Sequence, residues 1–131
     1  MANFEKSLNI RTTEHLELFV EDGILLCIYK DIAMVDLAYA QACVRERLEY
    51  VRDKTYPSLF DITRIKQSTK DARDFLANEG NELVSASAIL ISSPMLQMTA
   101  NFYIMVNKPI NPTRMFTDRK SALEWLARFK D

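Results

Sequence analysis

Glycine and proline are scarce in this chain of 131 residues, with two of the first and four of the second. Long flexible linkers are therefore excluded, and no glycine-rich loop is present to cradle a phosphate. Cysteine is limited to Cys27 and Cys43, and histidine to His15. Those three side chains cannot build a zinc site of the usual spacing. Cys27 sits in the apolar run 24–28 and Cys43 in a helical pattern, so both are expected to be buried, inert thiols. No charge of one sign prevails. The formal net charge is −1, so no global field draws the protein to nucleic acid or to an anionic membrane. Basic residues do not interleave with aromatics as a nucleic-acid motif would require, and Lys108, Arg114, Arg119 and Lys120 are expected on a solvated face. No apolar stretch is long enough to span a bilayer. Residues 1–6 show no apolar h-region, so a signal peptide is not expected and a cytoplasmic location is. No cofactor motif is found.

What is present is an ordinary globular composition, 48% hydrophobic and 27% charged, enough for one domain with a core of its own. Residues 1–13 are polar and weakly patterned, an arm or an edge strand, and residues 14–131 form the domain. Leu16, Leu18 and Val20 alternate with neighbours, and Asp22-Gly23 then precedes a second apolar run. Asp-Gly between two such runs predicts a hairpin, because a tight primed turn needs positive φ. Asp36 is a suitable N-cap for a helix with Leu37, Ala40, Val44, Leu48 and Val51 inward. Arg45, Glu46, Arg47 and Glu49 are expected on its wet side. A short buried strand is predicted over 58–61, a polar turn over 63–67, and a helix that Ser68 caps, with Ala72, Phe75 and Leu76 inward and Gly80 as its stop. A central strand is predicted over 86–91. Ser93-Pro94 starts another helix to about Asn107. A strand over 114–116 and a last helix capped by Thr117, with Ala122, Leu123, Leu126 and Phe129 inward, close the chain. Strands alternating with helices imply a mixed, mostly parallel α/β sheet with an N-terminal antiparallel hairpin and about four helices.

This order, with the motifs Glu21-Asp22-Gly23-Ile24, Phe60-Asp61-Ile62-Thr63, Asn101-Phe102, Lys108-Pro109 and Phe116-Thr117-Asp118 running into Ala122-Leu123-Glu124-Trp125-Leu126, resembles the STAS/SpoIIAA-like domains over about residues 14–130. Local similarity is best to an uncharacterised bacterial branch. The resemblance implies a non-catalytic regulatory or protein-interaction domain. In well-understood members a serine after a strand aspartate starts a helix and is phosphorylated by a partner kinase. Ser68 or Thr69 falls near that place, but the aspartate just before and the glycine just after are absent. Some relatives also resemble Sec14-like lipid-binding proteins, which implies the alternative of a small apolar or lipid-like ligand.

Strand-to-helix turns at one end of a parallel sheet are where open α/β folds bind ligands. Helix N-termini favour anions there. The candidate phosphoacceptor or anion site is therefore Ser68, Thr69, Asp61, Arg64, Lys66 and Ser93. The competing reading is plain helix capping, with Asp61 capping its following turn. His15 is expected at the surface. No nucleophile elbow is found, and an enzyme is not expected. Between Ser93 and Asn107 there is no charged residue. Met95, Met98, Phe102 and Val106 share one helical side, and Leu96, Ala100, Tyr103 and Ile104 point away from it. That second face is a candidate interface for a protein partner or a homodimer. A large apolar cavity would favour a carrier, a solid core with an exposed capping hydroxyl would favour a switch, and convergent polar groups with perturbed pKa values would favour an enzyme.

Overall fold

The computed structural model describes residues 10–92 and 110–130. A six-stranded sheet forms its centre. Its strands are β1 (Arg11–Thr12), β2 (Leu16–Glu21), β3 (Ile24–Tyr29), β5 (Tyr56–Asp61), β7 (Val84–Leu90) and β8 (Thr113–Phe116), adjacent in that order. The first three are antiparallel, and β3, β5, β7 and β8 are parallel. The mixed α/β architecture with an N-terminal hairpin is thus as the sequence predicts. Asp22 and Gly23 take φ of 53° and 78°, the left-handed pair that a primed turn requires.

Three α-helices occur among the described residues: α1 (Leu37–Val51), α2 (Lys70–Asn78) and α3 (Arg119–Leu126). The fourth expected helix, over 93–107, lies outside them. Two strands not foreseen, β4 (Ile32–Val35) and β6 (Ile65–Ser68), pair in parallel as a small second sheet. The predicted polar turn is therefore largely strand. Because β6 runs through Ser68, the cap of α2 moves to Thr69, whose hydroxyl accepts from Ala72 N at 3.3 Å. The cap of α3 similarly moves from Thr117 to Asp118, which accepts from Ser121 N at 2.8 Å. Hydrogen bonds from the Ser121 backbone and side chain pull the Asp118 carboxyl below its ordinary value. Asp36 caps α1 as predicted, accepting from Tyr39 N at 2.9 Å. Gly80 is not a left-handed stop. It lies in a 3-10 turn, Glu79–Asn81, and positive φ falls instead on Leu83.

Both sheet faces are buried, as a parallel sheet requires. Ile24 and Leu26 of β3, Leu59 of β5, and Ala86, Ala88 and Leu90 of β7 pack beneath Ala122 and Leu126 of α3. The opposite face carries Leu16, Leu18, Leu25, Cys27 and Tyr29 against Cys43 and Val51 of α1. The period-2 alternation along β3 divides its side chains between the two layers.

Candidate functional site

A cavity of about 440 Å³ lies on the face away from α3. The sheet contributes Cys27, Tyr29, Phe60, Ser87, Ile89, Thr113 and Met115. Cys43, Val44 and Arg47 enter from α1, and Arg73, Leu76 and Ala77 from α2. Ile65, Lys66, Gln67 and Ser68 of β6 close one side. The local sequence explains the space. Ser87 and Thr113 line it from β7 and β8, and Ala77 and Gly80 from α2 and the turn after it, so several of its lining residues are small. A volume of this size is in the range of small-molecule sites, whose linings are apolar with a few placed polar groups.

Arg47 is the main correction to the sequence reading. Expected on the wet side of α1, it is 1% exposed. Its Nη2 donates to the Gly80 carbonyl at 3.1 Å. Its Nη1 has no hydrogen-bond partner among the described residues. The guanidinium carbon stands 5.9 Å from the centre of the Phe60 ring. Burial pulls the guanidinium pKa down, and Cys27, Tyr29 and Glu82 oppose that shift in part. Burial also pushes the Cys27 thiol up to about 12, and raises Cys43 and Tyr29 above their ordinary values. Both thiols are free and buried, as expected.

The predicted anion-site residues are not one convergent cluster. Asp61 is engaged locally, as the capping reading holds: its Oδ1 accepts from Thr63 N at 3.0 Å and from the Thr63 hydroxyl at 2.6 Å. Its Oδ2 faces Arg119 Nη2 at 3.7 Å. Ser68 is half-buried, and Arg73 Nη1 donates to its carbonyl at 2.6 Å and to its hydroxyl at 3.3 Å. Thr69 donates to Asp71 while it caps α2. Ser68 and Lys66 belong to the cavity lining, whereas Arg64 is exposed and stands apart from it. Ser93 and the candidate interface of Leu96, Ala100, Tyr103 and Ile104 lie outside the described residues.

His15 also departs from expectation. Its side chain is 17% exposed, and Nδ1 lies 2.6 Å from Glu46 Oε2. The Thr13 hydroxyl donates to the other oxygen of Glu46, and Tyr39 meets the imidazole edge-on at 4.6 Å. A hydroxyl and an imidazole on one carboxylate do not make a nucleophile–base pair, because the hydroxyl is not directed at the ring. The cluster fastens the turn before β2 onto α1. Among the described residues no group of three His, Cys, Asp or Glu side chains could hold a metal ion, and no helix is long and apolar enough to cross a membrane.

No curated protein matches the chain. Among solved structures it is similar to an uncharacterised DUF3478-family protein with a SpoIIAA-like fold from Shewanella loihica PV-4, at 14% identity and TM-score 0.61. That match covers 88% of this chain and 98% of the other. A protein of unknown function from Arthrobacter sp. FB24 shares 29% identity over 84% of this chain and 97% of its own, but its TM-score of 0.33 is too low to inform the fold. The model of one family, described as a domain of unknown function (DUF7793), matches residues 18–130. The chain therefore has a SpoIIAA-like α/β fold and belongs to the DUF7793 family.

Proposed function

We propose that this domain is a non-catalytic binding module that holds a small apolar molecule between its sheet and the helices α1 and α2. The observation that carries this reading is the cavity of about 440 Å³, walled mainly by Val, Ile, Leu, Met, Phe and Cys side chains. Filling such a space with hydrocarbon contributes about 0.8 kcal/mol for each methylene removed from water. A chain of modest length therefore suffices for specific binding. The protein-interaction role implied by the family resemblance would act on the exterior. Among the described residues the large apolar side chains exposed there are Ile10, Met34 and Ile110, which offer less than the interior does.

The test is a calorimetric titration with dodecanol, a neutral chain. The reading expects saturable one-to-one binding. It expects loss of that binding when the space is filled from either wall, by Ala77→Phe on α2 or Ser87→Leu on β7. Absence of binding by the folded wild-type protein, or full affinity in both filled variants, refutes it.

A further inference from the structure

We infer that the ligand of this cavity is a monoanionic amphiphile, an apolar chain ending in a carboxylate, and that Arg47 is its buried counterion. This inference rests on the binding reading above. Its first support is the unmet bonding capacity of Arg47. The side chain is 1% exposed, and one terminal nitrogen is used by Gly80 while the other has no partner among the described residues. A buried charge normally comes paired, because desolvation without a partner is costly. Here the unpaired nitrogen belongs to a side chain that lines the cavity.

The second support is the charge of the walls. Arg47 and Lys66 line the space, and no aspartate or glutamate does among the described residues. Glu82, exposed on the turn after Asn81, acts on Arg47 only at a distance. Nor does the sequence hold a counter-charge in the stretch 93–109, which contains no acidic residue. A carboxylate carried by the ligand supplies the negative charge that the lining around Arg47 lacks. Of the cations in the lining only Arg47 is deeply buried, Lys66 being exposed, and one buried cation neutralises one carboxylate, whereas a dianionic headgroup would leave excess charge beside it in an apolar interior. The apolar lining around the guanidinium accepts the hydrocarbon, and Nη1–H donates to the carboxylate in a charge-assisted bond.

The experiment compares dodecanoate with dodecanol at a pH where the acid is ionised, for the wild type, Arg47→Met and Arg47→Lys. The wild type is expected to prefer dodecanoate about tenfold or more. Arg47→Met should lose the preference, while Arg47→Lys should keep part of it. The wild-type comparison stands even if a variant does not fold. Equal binding of acid and alcohol by the wild type overturns the counterion role and leaves the apolar reading intact. Undiminished preference in Arg47→Met overturns it too. Binding of neither probe overturns both readings at once.

Discussion

Replacing Arg47 by methionine should stabilise the unliganded protein. The guanidinium is withdrawn from water, with 1% exposure, and the desolvation of such an ion costs several kcal/mol even after relaxation. Two contacts offset this. The hydrogen bond to Gly80 at 3.1 Å contributes about 1.5–3 kcal/mol as a bond to a charged group. The Phe60 ring, 5.9 Å away, adds about 1 kcal/mol. The unpaired Nη1 leaves the sum short of closure. Methionine has similar length and fits an apolar lining, though it leaves the Gly80 carbonyl without that donor. The expected gain is about 1–2 kcal/mol, a rise in Tm of about 3–10 °C for a domain of this size. Burial depresses the guanidinium pKa. A base whose folded pKa is depressed binds its proton less tightly when folded, so the penalty holds at every pH below the folded value and is relieved only as pH rises through it. The gain should therefore be the same from about pH 6 to about pH 8. Thermal denaturation with a urea midpoint as a second measure decides the matter. A loss of stability of about 2 kcal/mol or more would show that Arg47 is a satisfied structural residue, and the argument for a ligand counterion would fail.

Three further outcomes follow from the geometry. Cys27, with its thiol pushed up to about 12, should react with a thiol reagent about a thousandfold more slowly than an exposed cysteine near neutral pH, and Cys43 should be similarly slow; rapid labelling of the native protein would contradict this. Glu46→Gln weakens the acceptor shared by Thr13 and His15 and should cost about 1 kcal/mol; a double-mutant cycle with His15→Ala that shows no coupling would mean the contact carries no energy. Gly23→Ala places a side chain at φ of 78° and brings Cβ within 3.2 Å of Lys130 Cδ, so a loss of about 1 kcal/mol is expected in chemical denaturation; an unchanged midpoint would count against the turn geometry.

The hairpin was legible because Asp22-Gly23 encodes its own turn, and the start of α1 because Asp36 caps it in one step of sequence. The alternation along β2 and the inward set Ala122 and Leu126 of α3 were legible from periodicity alone. Arg47 was misassigned by residue type. It lies three positions after Val44 and four before Val51, on the buried side of α1, and an arginine at such a position is the exception that periodicity alone would have flagged. His15 and Glu46 are 31 residues apart, so no local pattern announces their pairing. The small β4–β6 sheet escaped because Ile65–Ser68 looks polar and its partner is Ile32–Val35, far off in the chain. The cavity was not legible at all, since it exists only where β7, β8, α1 and α2 fail to fill the space between them.

The central claim is that this space receives an apolar chain, and the most direct measurement is the set of intermolecular nuclear Overhauser effects between bound dodecanol and methyl-labelled protein. The account predicts cross-peaks from the dodecanol chain to methyl groups of Ile65, Ile89, Leu76 and Met115, which line the space from three sides. Cross-peaks from those methyls to the protein's own side chains alone, with none to dodecanol at saturating concentration, would contradict it.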